Sequence, residues 1–482
     1  MPSVLSDVLV VGGGLAGLSC AVALSDAGME VTVLESGSAL GGRARSWIHA
    51  ESGDTVDIGP HVVHSEYANF LKFLGRLGTR EHIRWQPDPV LTLTAHPVFR
   101  LRHLPLPPPL SLFPRMLTAP GLRIRDLISN LSASLTALRL QDDDLGALDE
   151  VTAADFLLER GVTPAMIDWF WRLACMTTIN TPLERCSAAA LLRIDAQISG
   201  YRRFHFGFPD IGLGELYIAQ SVGSISALGG RVVLGACAAC CELEFDNHVI
   251  KTTDARRFAA RHVVYAIPPA ELGALQPELA DTGAFEPSPY RSVYLWFDRR
   301  ITQECFWSLM WSPDRLNYDF YDLANIRASP HARPSLIASN IIYCHRVADW
   351  SGEALIASTC EELALFAPAA RRARLLHAQV HAIPMAVPCH VPGIERKRPR
   401  TRTAQPRVFL AGDWTHTRLP FSMESAVRSG YLAADAVLAA EGRASALAIA
   451  PRRYDAIAGW INRRARRQHH ATALPEKAGG AW

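Results

Sequence analysis

Residues 7–35 read DVLVVGGGLAGLSCAVALSDAGMEVTVLE, and this stretch decides the fold of the chain. Asp7–Val11 is mostly apolar and runs into glycine, which predicts a buried strand. Leu15–Ala27 has the composition of a helix, and Gly28 ends that helix. Glu30–Leu34 predicts a second strand. Strand, helix and strand in this order predict a βαβ unit with parallel strands.

The turn between the first strand and the helix carries the pattern G-x-G-x-x-G. Glycines there permit a tight turn and let the backbone approach a pyrophosphate, and the helix N-terminus offers free N–H groups to that anion. Glu35, at the end of the second strand, is placed to accept from a ribose 2′-hydroxyl, which argues against NADP. The residues predicted to contact a dinucleotide here are Gly12, Gly13, Gly14, Ala16, Gly17 and Glu35.

Two further segments predict contacts with the same ligand. Gly42 and Arg43 belong to a second glycine turn, and the planar, charged fork of Arg43 suits a phosphate. A surface loop with a solvated arginine is the alternative interpretation of this turn. Gly59 and Pro60, followed by His61, would let the backbone pass close to a flat ring.

The other end of the chain supplies a matching motif. Val408–Trp414 reads VFLAGDW, an apolar strand that runs into Gly412 and Asp413, and Ser422 and Met423 open a helix soon after. Asp413 would hold a ribityl hydroxyl. The positive end of the helix would face the flavin edge where negative charge develops on reduction. Because both ends of the chain then serve one cofactor, the pattern predicts FAD.

Together these motifs resemble the flavin amine oxidase superfamily, which includes amine oxidases, phytoene-type desaturases and hydroxysqualene dehydroxylases. The resemblance spans about Ser6 to Leu438. It implies an α/β fold in which a Rossmann-type FAD-binding domain is interleaved with a mixed α+β substrate-binding domain. The implied boundaries are 1–100, 205–288 and 396–445 for the FAD-binding domain, 101–204 and 289–395 for a substrate-binding domain with a helical membrane-facing part, and 446–482 for a basic C-terminal tail.

Three interior segments resemble the desaturases and dehydroxylases in particular. His103–Leu110 resembles their Leu-Pro-Ala-Pro-Leu segment, and Ile179–Ala188 resembles their Leu-Asn-Thr-Pro block. Tyr294–Arg299 is similar to the strand that opens the second half of their substrate domain. The chain departs from the pattern at Cys237-Ala238, where relatives often carry Pro-Val against the adenine. The backbone of Ala238 is expected to make that contact.

Lysine usage bears on the choice between substrate classes. The chain has only four lysines: Lys72, Lys251, Lys397 and Lys477. The resemblance implies that an amine oxidase would place a lysine near flavin N5, on a strand in the second half of the substrate domain. From Asp254 through Glu395 the sequence contains none. This gap argues against amine oxidation.

Composition sets outer limits. The 482 residues are 49% hydrophobic with a net charge of +2, which suits a large core in two domains and gives no general attraction to nucleic acid. The sequence has neither a run of about 18 apolar residues nor a basic leader, so we expect no spanning helix and no cleavable signal. Ten cysteines are expected to stay reduced in the cytoplasm. Cys237, Cys240 and Cys241 lack a second ligand pair nearby, so we expect a strand there and no metal site.

The segment after His103 has two interpretations. It is either a rigid polyproline connector or a membrane-facing mouth. The mouth would use an apolar patch ringed by arginines, and the family resemblance favours it, which implies a peripheral position on the inner face of the cytoplasmic membrane. The apolar patch comprises Leu104, Leu106, Leu110, Leu112, Phe113, Met116 and Leu117, and the ring comprises Arg102, Arg115, Arg123 and Arg125. Four arginines of the tail would assist, or would belong to a solvated or disordered end: Arg463, Arg464, Arg466 and Arg467.

The candidate catalytic residues are His61, His64 and Trp414. A histidine can move a proton while hydride passes to or from flavin N5. For His61 a packing or flavin-positioning role is an equal alternative, and for Trp414 the alternative is a wall of the flavin pocket.

The sequence therefore predicts an FAD-dependent oxidoreductase that acts on a long apolar isoprenoid by hydride transfer at flavin N5. It would be either a hydroxysqualene dehydroxylase or a carotenoid- or squalene-type desaturase, with a quinone, oxygen or a reductase as electron partner. Two alternatives remain open: amine oxidation, and prenyl-lipid binding without redox chemistry. The sequence does not set the direction of electron flow.

Overall fold

The computed structural model describes residues 4–86, 88–94, 97–141, 145–327 and 334–472. In the described residues the strands are β1 (Val4–Val11), β2 (Val31–Leu34), β3 (Ser46–Ile48), β4 (Thr55–Asp57), β5 (Val63–His64), β6 (Ile83–Gln86), β7 (Leu91–Thr94), β8 (Phe99–Leu101), β9 (Phe206–Pro209), β10 (Arg231–Val233), β11 (Ala238–Glu244), β12 (Asn247–Thr252), β13 (Arg257–Tyr265), β14 (Pro287–Phe297), β15 (Phe306–Leu309), β16 (Asn317–Asp322), β17 (Leu336–Ile341), β18 (Leu375–Pro388) and β19 (Val408–Leu410).

The α-helices are numbered in the same way. They are α1 (Leu15–Asp26), α2 (Ala68–Leu77), α3 (Phe113–Met116), α4 (Ile124–Ser129), α5 (Leu131–Arg139), α6 (Leu145–Asp149), α7 (Ala153–Glu159), α8 (Pro164–Met166), α9 (Arg172–Ala174), α10 (Ala188–Gly200), α11 (Ile218–Ala227), α12 (Pro269–Leu275), α13 (Leu323–Ile326), α14 (Gly352–Phe366), α15 (Ile394–Lys397), α16 (Met423–Ala440) and α17 (Ala456–Thr472). Two π-helical segments, Ile167–Trp171 and Cys175–Ile179, flank α9.

The first sheet contains the βαβ unit that the sequence predicts. Its order is β10-β2-β1-β13-β12-β11, and β19 pairs in parallel with β13. The end of β1 at Val11 lies beside Tyr265 of β13, and Tyr265 lies beside Leu410 of β19. The turns that follow β1 and β19 therefore meet at one edge of the sheet, as a cofactor shared by both ends of the chain requires.

Helix α1 lies at the centre of this domain and is buried along nearly its whole length. It crosses α16 so closely that a Cβ on Gly430 would lie 2.4 Å from the carbonyl oxygen of Ala16 and 2.2 Å from Oγ of Ser19. Only glycine fits at this crossing, because no real Cβ comes so near another atom. The contact fixes the helix that follows β19 against the helix that follows β1.

The second sheet has the order β18-β14-β17-β16-β15-β7-β8, and α14 covers one of its faces. The strand predicted at Tyr294–Arg299 is the end of β14. One boundary differs from the prediction, which assigned residues 1–100 to the FAD-binding domain. β7 pairs in parallel with β15, with Leu93 opposite Ser308, and β8 pairs with β7, so both strands belong to the second sheet. Short apolar strands carry no signal of the sheet they join.

Over the described residues the basic tail differs from the alternative of a disordered end, although its four arginines are exposed. Helix α17 packs on α5 and α10. The amide of Ala458 donates to the carbonyl of Pro108 (3.1 Å), and Nδ2 of Asn462 donates to the carbonyl of Leu138 (3.0 Å). The tail helix is therefore docked beside residues 104–117, which we call the proline-leucine segment. Among the described helices, none is both long and apolar enough to cross a bilayer.

Candidate active site

The glycine turn after β1 has the geometry of a phosphate-binding turn. Gly12 has φ +108°, and a Cβ on Gly17 would lie 1.9 Å from the carbonyl oxygen of Gly12, so both positions require glycine. Gly14 caps α1, and a Cβ built there would meet nothing within 4 Å. The N-terminus of α1 therefore faces open space, where its amides would meet an anion.

The second glycine turn forms the other wall of this space. The amide of Gly41, which has φ +103°, donates to the carbonyl of Gly13 (2.9 Å). A Cβ on Gly42 would have only the Cα of Gly14 nearby, at 3.8 Å. The two turns thus form a cradle in which Gly14 and Gly42 meet no side chain, and this fits the pyrophosphate of a dinucleotide. Tyr217 holds the second turn by donating to the carbonyl of Gly41 (3.1 Å).

Glu35 lies at the end of β2, as predicted. Its carboxylate accepts from the amides of Gly13 (2.8 Å) and Gly37 (2.7 Å). The carbonyl of Glu35 accepts from Ala236 (2.8 Å), which brings the segment before Ala238 to the same place. This arrangement allows Glu35 to contact a ribose and Ala238 to contact an adenine, and both contacts stay predictions.

Arg43 and Asp413 come together in a way that the sequence did not predict. The guanidinium of Arg43 donates to both carboxylate oxygens of Asp413, at 2.7 and 3.3 Å, and to the carbonyl of Ala386 at 3.0 Å. The prediction gave Arg43 to phosphate and Asp413 to a ribityl hydroxyl. The structure joins them because a buried carboxylate and a planar guanidinium satisfy each other in a bidentate pair. Asp413 is 4% exposed.

The loop that carries Gly59 and Pro60 is pressed against the second sheet. A Cβ on Gly59 would lie 2.6 Å from Oγ of Ser292, and Nδ2 of Asn340 donates to the carbonyl of Pro60 (3.2 Å). Ser292 in turn donates to Oδ1 of Asn340 (2.6 Å). These two side chains lie on paired strands, and no motif marks them in the sequence.

Asp57 anchors the same loop and joins the two domains. Its carboxylate accepts from Ser46 (2.6 Å), from the amide of Leu213 (2.9 Å) and from Arg327 (2.6 Å). Its carbonyl accepts from the hydroxyl of Tyr294 (2.9 Å). This buried carboxylate, two residues before Gly59, is a functional candidate that the sequence alone did not indicate.

His61 follows this loop. Its Nδ1 lies 2.7 Å from the carbonyl of Gly59, and since a carbonyl only accepts, Nδ1 carries the proton. Burial lowers the pKa of His61 below its ordinary value. The ring is therefore neutral near pH 7, and Nε2 has a lone pair that can accept a proton. Among the described residues no side chain or carbonyl bonds to Nε2.

The other two catalytic candidates are placed differently. His64 packs among the rings of Tyr67, Phe204 and Phe206, and burial lowers its pKa to about 4. Trp414 is 1% exposed, and its indole N–H donates to the carbonyl of Ile267 (3.0 Å). These contacts are those of packed rings, which favours the pocket-wall alternative for Trp414. The catalytic roles of His64 and Trp414 stay predictions.

The loop from Gly412 to the start of α16 is organised by Arg398, a residue that sequence reasoning missed. Its side chain is fully buried and donates to the carbonyls of Asp413 (2.9 Å), Thr415 (2.9 Å) and Leu419 (2.6 Å). Ser422, as predicted, begins the helix, and its Oγ accepts from the amide of Ser425 (3.2 Å). Arg398 also pairs with Glu395 (3.1 Å), but its carbonyl partners leave no pattern in the sequence.

Comparison with known proteins agrees with this geometry. The family model described as flavin containing amine oxidoreductase matches residues 15–438. The chain is similar to 15-cis-phytoene desaturase of an Oncidium hybrid cultivar, with 27% identity covering 90% of this chain and 78% of the relative. It is also similar to 15-cis-phytoene desaturase of Synechococcus elongatus, with 25% identity covering 90% of this chain and 96% of the relative. Carotenoid phi-ring synthase of Streptomyces griseus is 27% identical, covering 89% of this chain and 87% of the relative.

Solved structures support the fold. A redesigned putrescine oxidase aligns with a TM-score of 0.69 at 16% identity, covering 91% of this chain and 100% of the other. Cyclohexylamine oxidase from Brevibacterium oxydans aligns with a TM-score of 0.67 at 18% identity, covering 92% and 100%. At such identities the likeness concerns the fold alone. Because the family model matches most of the chain and the two glycine turns form a cradle for a dinucleotide, the chain belongs to the flavin containing amine oxidoreductase family and is an FAD-dependent oxidoreductase.

Proposed function

We propose that the substrate is a long apolar isoprenoid, and that the chain is a hydroxysqualene dehydroxylase or a carotenoid- or squalene-type desaturase. One observation carries this proposal. A single cluster of apolar side chains connects the flavin loops with the proline-leucine segment. It includes Ile58, which precedes Gly59, and Ala386, whose carbonyl accepts from Arg43. It also includes Met116 of the proline-leucine segment and Leu122, which follows that segment.

The relatives support the same substrate class. Those named 15-cis-phytoene desaturase and carotenoid phi-ring synthase bear the names of enzymes of carotenoid chemistry. Within the described residues, the neutral pair Ser292 and Asn340 lies against Gly59, and the lysine that the family resemblance implies for amine oxidases has no counterpart from Asp254 through Glu395. Both observations favour an apolar substrate over an amine.

FAD, when bound, supplies the hydride acceptor or donor at N5. The residues of the chain position it and exclude water. Backbone of the two glycine turns would hold the pyrophosphate, and Asp57 with Asn340 fixes the loop at Gly59. His61 is the proposed proton-transfer residue, because its Nε2 is free to accept a proton while Nδ1 holds the loop.

We also propose that the protein sits peripherally on the inner face of the cytoplasmic membrane. Leu106, Leu110 and Leu117 of the apolar patch are exposed. Further along the chain, α4 and α5 carry an apolar stripe with one exposed side chain every three or four residues: Ile124, Ile128, Leu131 and Leu135. Such a stripe beside exposed Arg123 and Arg125 suits the interface of an anionic bilayer. The side chain of Phe113 lies outside the described part.

Helix α17 extends this surface. Trp460 is 54% exposed and Ile457 is 41% exposed, and Arg464 lies over the ring of Trp460. Three more exposed arginines follow on the same helix: Arg463, Arg466 and Arg467. Tryptophan flanked by arginines is typical of helices that lie in the headgroup region. The helix would thus add electrostatic attraction to the insertion of the apolar patch.

Turnover of vesicle-held substrates by the FAD-loaded protein tests the proposal. A dehydroxylase with reduced flavin converts hydroxysqualene to squalene and oxidises its flavin, because hydride replaces the hydroxyl that leaves as water. A desaturase with oxidised flavin removes hydride and a proton from phytoene, reduces its flavin and passes the electrons to a quinone. Anaerobic flavin absorbance with product analysis separates the two. Failure of both substrates to change the flavin would contradict the isoprenoid assignment.

A further inference from the structure

A pocket of about 280 Å³ opens beside the second π-helical segment. It lies between that segment, the turn that follows it and the ends of strands in the second sheet. Its apolar lining comprises Met176, Leu183, Trp311, Tyr318 and Ile342. Its size is near the lower end of the range for small-molecule sites and is far too small for a whole carotenoid.

The pocket is continuous with the apolar cluster that reaches the flavin loops. Met176, Tyr318 and Ile342 are buried members of that cluster, and Trp311 packs against it. The inner wall of the pocket therefore belongs to the same apolar cluster as Ile58, so an isoprenoid bound along that cluster would have an apolar site for its end here.

Charged side chains close the outer rim of the pocket, and they are paired. The guanidinium of Arg172 lies 4.5 Å from the centre of the Trp311 ring. It also donates to Asp168 (2.8 Å) and makes a short contact with Glu184. These groups keep their partners only while no hydrocarbon passes between them. The apolar lining of the pocket consequently ends at this rim.

We propose that this pocket is a terminal subsite, which takes the end of the isoprenoid chain that enters first and whose rim limits the length of chain accepted. The inference rests on the proposed isoprenoid function. It makes Met176 and Leu183 specificity-determining residues, because they line the space that the last isoprene unit would occupy.

A chain-length series tests the subsite in the FAD-loaded protein. Fifteen-, thirty- and forty-carbon polyprene hydrocarbons are titrated from detergent micelles, and binding is read from the flavin absorbance. Met176→Trp and Leu183→Phe each reduce the space in the pocket. We expect both variants to bind the two long chains about tenfold more weakly and the short chain as the parent does. Leu365→Trp, on the exposed face of α14, is the control and should match the parent.

The outcomes separate the two proposals. If no hydrocarbon perturbs the flavin of the parent, both the isoprenoid function and the subsite are wrong. If the parent binds the series and the two variants bind it equally well, only the subsite is wrong. Weakened binding of the short chain as well would also overturn it, because the pocket would then belong to the reacting region.

A second measurement needs no variant. A forty-carbon polyprene with a photoreactive benzophenone at one end is bound to the parent and irradiated. We expect labelled peptides that contain Met176, Trp311 or Ile342. Label confined to residues 104–117 would overturn the proposal.

Discussion

At the scale of single residues, the carboxylate of Glu35 already has two amide partners before any ribose is considered. Glu35→Ala should weaken FAD binding by about 1.5–3 kcal/mol, because a charge-assisted hydrogen bond and the support of the Gly13 turn are lost together. The measurement is the FAD dissociation constant by fluorescence titration, with flavin retention on gel filtration. Glu35→Gln keeps one acceptor oxygen, so its FAD dissociation constant should lie between those of the parent and the alanine variant. Equal affinity of parent and alanine variant would contradict the assignment.

Asp319 predicts a pH effect on stability. Burial raises its pKa from 3.8 to about 7, although Ser308 donates to it. The folded state therefore binds this proton more tightly than the unfolded state, so the stabilisation is complete below pH 3.8 and is lost as the pH rises through 7. Asp319→Asn cannot ionise and should stabilise the protein at pH 8 by up to about 4 kcal/mol, with little change near pH 4.

Thermal unfolding midpoints at pH 4 and pH 8 check the Asp319 prediction. The matched control is Asp298→Asn, at a carboxyl whose pKa is lowered to about 2 by Arg299. Because that carboxylate is favoured in the folded state, its loss should give no gain at pH 8. A gain of equal size in both variants would mean that the effect is a general one of net charge.

Residue roles were predictable where a role depends on backbone geometry. The glycines of the first turn and Glu35 have positions set by local sequence order, and the structure places them as expected. Arg398 was missed because its backbone partners are carbonyl groups, which have no sequence signature. Asn340 was missed because its partners, Ser292 and the carbonyl of Pro60, come near it only in the folded chain.

At the scale of elements, the crossing of α1 and α16 gives a sharp test. Gly430→Ala should destabilise the protein by about 1–3 kcal/mol, because the added Cβ meets the carbonyl of Ala16 and neither backbone can retreat. Gly223→Ala, within α11, is the matched control. A Cβ there meets nothing within 4 Å, so the change should stabilise by about 0.5–1 kcal/mol. Thermal unfolding of both variants measures the difference, and similar effects would refute the close crossing.

The membrane surface is a second test at this scale. Replacing Leu110, Leu117 and Ile124 together with Ser should lower binding to anionic vesicles, since burial of apolar area is worth about 25 cal/mol per Å². Turnover of vesicle-held substrate should fall with it, while the flavin spectrum stays unchanged. Cosedimentation measures the binding.

The matched control for the membrane variant replaces three exposed apolar residues of the first domain with Ser: Leu228, Leu243 and Phe245. It should sediment with vesicles as the parent does. If the first triple variant also sediments like the parent, the proline-leucine segment is a connector and the entrance lies elsewhere.

At the scale of the whole molecule, the substrate class can be tested against the amine oxidases that share the fold. Anaerobic mixing with primary amines and polyamines should leave the flavin oxidised, because Ser292 and Asn340 present neutral groups beside the loop at Gly59. Stopped-flow absorbance measures this. Fast bleaching by any of these amines would overturn the isoprenoid proposal in favour of amine oxidation.

By itself the sequence determined the family, the FAD cofactor and the βαβ unit, because these depend on glycines, an acid and apolar periodicity within short spans. The tertiary structure decided which strands joined which sheet, the pairing of Arg43 with Asp413 and the docking of the tail helix on α5. It also decided that Met176 and Ile342, far apart in sequence, line one pocket. The physical reason is that such contacts depend on long-range packing, in which an apolar residue accepts many partners and local sequence does not specify which.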